Sequence, residues 1–393
     1  MNILISTWSL QVGGGEVLAM NLAAELARRG HKVFLFNQRA ELIDHDLVQR
    51  LLPPEVKVLS MADRPRRSFW AYKINALQQR LGRKGVFYLK QQQAYLTDCL
   101  KSYHIDLLNS HSTFSDELCA SVVEKMSIPM VITEHGEYTR FALEGRRDFV
   151  NVLRTAKRIL TVSHYCKGHL EHCFASLPVI KTVYNGVVTR TYEVAEMRKA
   201  LIIPVNAFVF GMVARGITEK GWLQAVQAFQ LFKATASGQP VRLVLVGGST
   251  YLRQLQTEYE ADTDIHFVGQ VPNSDFYISG FDVGLLPTYF AAEALPLAVI
   301  EYMVSGKPTI ATQVGGIPEL LNLPTGPTGQ LILLDEHTHK PRVDMLVAAM
   351  QRYYENTDLY AMHASNAIAA RENFTMKTCA DQYEQAFAAS RTT

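Results

Sequence analysis

Two glutamates, Glu293 and Glu301, stand with seven residues between them in the stretch PTYFAAEALPLAVIEYMVSGKPTIATQVGGIPE, residues 287–319. Pro296 suits the first position of a helix and Gly306 its end, so a short helix is expected between them. Glu293 then lies in the loop before that helix and Glu301 about a turn and a half inside it. Free backbone N–H groups at a helix start bind anions, and carboxylates accept hydrogen bonds from hydroxyls. A ligand with hydroxyls at one end and phosphate at the other fits both, and a nucleotide sugar is such a ligand.

Other residues point the same way. Arg215 and Lys220 flank an expected strand-to-helix turn, where a guanidinium fork and an ammonium can neutralise a diphosphate; the plainer reading is a pair of solvated cations. Gly13, Gly14 and Gly15 follow the first apolar run and Glu16 opens the next helix, so a phosphate or substrate can approach backbone N–H groups there, unless the glycines only allow tight packing. The loop lacks G-x-G-x-x-G, and the second strand ends in Asn37-Gln38 with no acid for a ribose, which argues against NAD. His135 and His111 each follow a strand, where a histidine contacts a hydroxyl, moves a proton or simply completes the structure. Asp262-Thr263-Asp264 is a D-x-D triplet of the kind that elsewhere holds a divalent metal, but its place before a strand reads as a turn.

The elements that must position these residues alternate short apolar runs with amphipathic helices, the pattern of a parallel sheet wrapped by helices. Strands are expected at 3–6, 33–37, 56–59, 107–110, 130–133, 159–162 and 181–183, with a helix at 16–29. The pattern restarts at 208–215 and continues through 241–248, 265–269, 282–287 and 308–312, with a helix from Trp222 to about Ala236. The expected class is α/β, with two doubly wound units joined at a seam near 186–206 and a last helix at 376–389. Ligands bind beyond the carboxyl ends of such strands, so the candidate residues of both units would face a cleft.

The 393 residues suit two domains, and 48% hydrophobic with 19% charged residues allows each a full core. A net charge of +2 gives no reason to expect nucleic acid as a partner. Five cysteines without a C-x2-C pair disfavour a disulfide framework or structural zinc and suit a reducing cytosol. The start reads as a strand rather than a signal peptide, and no apolar run reaches membrane-spanning length. From Arg64 to Lys90, eight basic residues occur with no acidic one, and Trp70, Ile74, Leu77 and Leu81 recur at helical spacing. With Arg66, Arg67, Lys73, Arg80, Arg83 and Lys84 at its flanks, the segment is either a helix lying on an anionic membrane or a surface helix whose apolar stripe packs inward.

Taken in order, these motifs resemble the retaining glycosyltransferases of family 4, which have the two-Rossmann GT-B fold. The glycine-rich first loop is Gly13-Gly14-Gly15-Glu16, the Arg-Gly-His-x-Val after the first helix is 29–33, and His135 follows a central strand. Tyr184–Val187, Arg215–Gly221, Glu293 to Glu301 and Gly315–Glu319 complete the set. Ala294 and Ala214 depart from glycines common in the family, the first bearing on which donor hydroxyls fit. The resemblance implies an acceptor-binding domain over 1–190, a nucleotide-sugar donor domain over 205–375, and a helix over 376–393 crossing back to the first domain.

It also implies roles. Glu301 would hold the nucleotide ribose and Glu293 the donor-sugar hydroxyls. Arg215 and Lys220, with backbone N–H groups of Leu295, Leu297 and Ala298, would neutralise the leaving diphosphate, so no metal or other cofactor is expected. His135 would face the transferred sugar, and Gly14 and Gly15 the phosphate or acceptor. The expected activity is retaining hexosyl transfer from a nucleoside diphosphate sugar, UDP favoured as the common one, to a glycan or lipid-linked acceptor. Its expected setting is bacterial lipopolysaccharide, capsule or exopolysaccharide synthesis, in the cytoplasm or at the inner membrane face. A sugar-nucleotide epimerase, a glycan phosphorylase and a non-catalytic sugar-nucleotide sensor share the architecture, and a dehydrogenase is the least favoured.

Overall fold

The computed structural model of the protein describes residues 1–82 and 84–391. The chain divides into two compact units, one of residues 1–186 with 376–393 and one of residues 187–375. The first unit is built on a seven-stranded parallel sheet. Its strands, in spatial order, are Lys57–Ser60, Lys32–Asn37, Asn2–Thr7, Leu107–Ser110, Met130–Glu134, Arg158–Thr161 and Val179–Thr182. All seven were expected, Leu107–Ser110 with the same bounds and the others with ends displaced by one or two residues. The strand order reverses between Asn2–Thr7 and Leu107–Ser110, which pair in parallel from Ile3 with Leu107 to Ser6 with Ser110.

Alternation along the first strand explains its two-sided burial, because successive side chains leave opposite faces of a sheet. Ile3 and Ile5 join Leu22, Leu26 and Val33 on one face, and Leu4 joins Phe36, Leu108 and Ile132 on the other. The first face is completed by Met376, Cys379, Ala380, Tyr383 and Phe387 of the terminal helix Met376–Arg391. Arg29 anchors that helix, donating from Nη1 to Asp381 and Glu384, both at 2.6 Å, and from Nη2 to the Lys377 carbonyl at 2.7 Å. His31 Nε2 lies 2.7 Å from Glu384. The Arg-Gly-His sequence at 29–31 therefore works as a clamp.

The second unit carries a six-stranded parallel sheet ordered Ile265–Gly269, Val241–Val246, Phe208–Val213, Val283–Leu286, Thr309–Thr312 and Gly329–Ile332. The last strand was not anticipated, nor was the small antiparallel pair Asn322–Leu323 with Gly326–Pro327. Its order reverses between Phe208–Val213 and Val283–Leu286. In such sheets that reversal opens a crevice at the carboxyl ends of the two strands.

The basic segment forms a helix, Pro65–Arg80, packed on the helix Phe87–Ser102. Ala71 is its buried residue, and Asn75 Oδ1 accepts from the Phe87 N–H at 3.1 Å. Trp70, Leu77 and Leu81 are 63%, 56% and 65% exposed, so the apolar stripe does not pack inward. Arg66, Arg67, Lys73, Arg80 and Lys84 are exposed as well, and Arg83 lies outside the described residues.

Candidate functional site

The candidate residues fall on the carboxyl edge of each sheet at its strand reversal, and each unit holds its own group. In the second unit the turn after Phe208–Val213 and the loop after Val283–Leu286 are joined through backbone contacts. Gly221 has φ +81°, and a Cβ there would lie 1.8 Å from the Pro287 carbonyl oxygen, so only glycine lets the loops meet. The Glu219 carbonyl accepts from the Tyr289 N–H at 2.8 Å and lies 3.1 Å from Thr288 Oγ1.

This junction buries Lys220 and Glu293, which are 7% and 5% exposed. Their Nζ and Oε2 atoms are 2.5 Å apart. Thr288 Oγ1 lies 3.0 Å from the same carboxylate oxygen. Lys220 is thus a desolvated cation held by one carboxylate, not a solvated surface charge. Arg215 is exposed, and no carboxylate pairs with it among the described residues. Its Cζ sits 5.3 Å from the Phe290 ring centroid, with Lys220 Nζ 5.0 Å from the same centroid, so two cations approach one aromatic ring. Thr288 and Phe290 were not anticipated; their signal was only that they share a loop with Glu293.

Glu293 is held from behind by the Gly-Gly-x-Pro-Glu turn. Gly316 donates its N–H to the Glu293 carbonyl at 3.1 Å, and Gly315, at φ +57°, would place a Cβ 1.6 Å from that oxygen. The following helix runs Leu297–Val304 with Pro296 as its N-cap, so it starts one residue later than expected. Leu297 and Ala298 therefore open the helix, where backbone N–H groups lack intrahelical acceptors. Leu295 lies buried just before them. Glu301 is deep enough that burial pushes its carboxyl up to about 7, with the charge of Asp275 as a second cause, although part of the side chain still reaches solvent. It sits near neutrality between its two protonation states.

The D-x-D carboxylates are already matched to cations. Lys233 Nζ lies 2.6 Å from Asp262 and 3.0 Å from Asp264, and Arg242 lies 2.8 Å from Asp264.

In the first unit the glycine loop meets His135. The helix Gly14–Arg28 begins immediately after Gly13, and a Cβ on Gly15 would lie 3.4 Å from His135 Cδ2 and Cγ. His135 Nε2 lies 3.1 Å from His111 Nδ1, and His111 Nε2 lies 2.7 Å from Asn109 Oδ1. Burial drives His135 down to about 4 and His111 well below its usual range, so both rings are neutral at pH 7. The neighbouring Glu134 is committed elsewhere: its carboxylate accepts the Thr139 N–H at 2.8 Å and the Tyr138 N–H at 3.2 Å, closing the start of the helix Glu137–Leu143.

A family model described as Glycosyltransferase Family 4 matches residues 12–191, and one described as Glycosyl transferases group 1 matches residues 193–370. The N-acetyl-alpha-D-glucosaminyl L-malate synthase of Bacillus anthracis is 23% identical over 341 residues, covering 83% of this chain and 82% of that one. A Bacillus subtilis glycosyltransferase assigned to teichuronic acid biosynthesis, TuaC, is 27% identical over 225 residues, 55% of this chain. The match spans 55% of that relative, about half its length. HepE of Anabaena, solved in complex with UDP and glucose, has a TM-score of 0.75 at 21% identity, covering 99% of this chain and 100% of that one. The sucrose-phosphate synthase of Thermosynechococcus elongatus has a TM-score of 0.76 at 19% identity and the same coverage.

Proposed function

Because the chain belongs to the group 1, family 4 glycosyltransferases and carries their GT-B fold of two parallel-sheet Rossmann-like domains, we propose that it is a retaining hexosyltransferase using a nucleoside diphosphate sugar. The observation that carries this reading is the buried Lys220–Glu293 pair beside Arg215 at the strand reversal of the second unit. It joins a carboxylate suited to sugar hydroxyls with two cations suited to a diphosphate. UDP is the favoured nucleotide, in line with the UDP-bound HepE structure. Glu301 takes the ribose, and the helix start at Leu297 and Ala298, with Leu295, takes phosphate oxygens. Residues 205–375 serve as the donor domain and 1–190 as the acceptor domain.

In this mechanism the bond from the anomeric carbon to the diphosphate oxygen breaks, and the acceptor oxygen bonds to the same carbon on the same face. The acceptor proton passes to the departing diphosphate, so the configuration is kept. Charge grows on the diphosphate as the bond breaks, so Arg215 and Lys220 act more strongly in the transition state than in the ground state. These cations and the helix terminus take the electrostatic role that a metal plays elsewhere, and the D-x-D carboxylates are engaged with Lys233 and Arg242. His135, beside Gly15, faces the transferred sugar, and Gly14 and Gly15 approach the phosphate or acceptor.

The acceptor is a glycan or a lipid-linked glycan of a bacterial cell surface, as in lipopolysaccharide, capsule or exopolysaccharide assembly. The exposed Trp70, Leu77 and Leu81 with their flanking cations suit an anionic inner-leaflet surface. No helix among the described residues is long and apolar enough to cross a membrane. The test is Arg215→Ala, which should lower turnover by about 10², roughly 3 kcal/mol, as for loss of one preorganised donor. Unchanged turnover would sink the assignment. Product analysis separates transfer, which releases nucleoside diphosphate, from epimerisation, which changes the sugar on an intact nucleotide.

A further inference from the structure

One backbone carbonyl dictates where the protons lie in the row Asn109, His111, His135. Asn109 Nδ2 is 3.1 Å from the Val131 carbonyl oxygen and 3.0 Å from Thr133 Oγ1. A carbonyl oxygen only accepts, so the amide NH2 faces Val131 and Oδ1 faces His111. An amide oxygen also only accepts, so His111 carries its proton on Nε2, 2.7 Å away, and leaves Nδ1 bare. That bare nitrogen lies 3.1 Å from His135 Nε2, which must donate to it. A neutral imidazole has one ring proton, so His135 Nδ1 is an acceptor. No described residue donates to it, and Gly15 lies against the Cγ–Cδ2 side of the ring.

The row is braced at its far end. Tyr383 of the terminal helix lies with its hydroxyl 3.3 Å from Thr133 Oγ1, and its ring is within 9° of parallel to His111. Asn109 and His111 are both buried, so water has little access to compete for these bonds.

We propose that Asn109 and His111 are positioning residues that lock His135 as its Nε2–H tautomer, so that its Nδ1 meets a hydroxyl of the transferred sugar as a hydrogen-bond acceptor. The sugar contact rests on the hexosyl-transfer reading above; the tautomer lock does not. His135 is then prepared before substrate arrives, because neither a ring flip nor a proton shift has to accompany binding.

The experiment uses the full chain labelled with 15N-histidine. Long-range proton–nitrogen spectra read the tautomer of each ring, and His111→Phe and His135→Gln assign the two signals among the 12 histidines. Both rings are expected as Nε2–H from about pH 6 to 8. In His111→Phe the acceptor for His135 becomes a ring C–H, so the His135 signal should become a mixture of tautomers while the melting curve reports the fold. With UDP-glucose as the probe, the wild-type His135 Nδ1 signal should move on binding. Turnover of His111→Phe should fall about tenfold at unchanged UDP affinity, the cost of one misaligned hydrogen bond. An Nδ1–H tautomer at either wild-type ring, or a His135 signal indifferent to His111→Phe, overturns the lock. The expected tautomers with no response to UDP-glucose overturn the sugar contact alone, which separates that failure from failure of the lock.

Discussion

Replacing Lys220 by alanine should destabilise the second unit, and replacing both members of its buried pair should destabilise it less. Lys220 and Glu293 are both under 10% exposed, and their charged atoms are 2.5 Å apart. Removing one partner of a buried pair typically costs about 3–5 kcal/mol, because the other charge is left without compensation. Lys220→Ala should lose about 3 kcal/mol, the low end of that range, since Thr288 still hydrogen-bonds the carboxylate. The double variant Lys220→Met with Glu293→Gln should lose less, because no buried charge is then left alone. Urea unfolding followed by tryptophan fluorescence suits the measurement, because Trp222 is fully buried in the second unit and donates from Nε1 to the Arg215 carbonyl at 2.9 Å. A loss under about 1 kcal/mol, or a double variant less stable than Lys220→Ala, would refute the reasoning.

Other outcomes follow from the same geometry. Burial raises the Glu301 carboxyl from its ordinary 4.5 to about 7, so the folded state binds a proton the unfolded state has released. Its contribution is complete below about pH 4.5 and is lost as pH rises through about 7, on the order of 2 kcal/mol after allowing for its partial exposure. Glu301→Gln should flatten that part of the pH–stability curve, and an unchanged slope would count against the assignment. Gly315→Ala should abolish turnover or folding, because its Cβ would overlap the Glu293 carbonyl at a φ of +57°; normal activity would show the turn to be adaptable. Trp70→Glu should reduce flotation with anionic vesicles while leaving turnover on a soluble acceptor intact, and equal recovery from neutral vesicles would contradict the membrane reading. In a thermal-shift panel of UDP-, GDP- and ADP-sugars, a true donor at 100 times its dissociation constant should stabilise by about 2.7 kcal/mol, and a UDP-sugar without effect would displace UDP as the favoured base.

How much of this was legible beforehand depended on whether the signal was local. Val241–Val246 and Val283–Leu286 are apolar runs buried on both faces, and such strands announce themselves. The strand Gly329–Ile332 reads GQLI, too short and too mixed to stand out, and is held in place by pairing with Thr309–Thr312. Periodicity found the apolar stripe of Trp70, Leu77 and Leu81, but a period does not say which face has a partner; the buried contact falls on Ala71. The candidate residues were visible because strand ends and helix starts mark them. Their pairings were not, because Lys220 and Glu293 are 73 residues apart and His111 and His135 are 24 apart, and only the meeting of two loops brings them together.

The terminal helix has a consequence for the order in which the protein is made. Residues 1–186 leave the ribosome with one sheet face lacking Tyr383, Phe387 and Met376, and the residues that supply them follow only after the whole second unit. At roughly 5–20 residues per second, the gap across positions 187–375 is about 10–40 s. During that interval Leu22, Leu26 and Val33 form a face without its cover, and Arg29 has yet to meet Asp381 and Glu384. The half of the chain synthesised first is thus the half whose core is completed last.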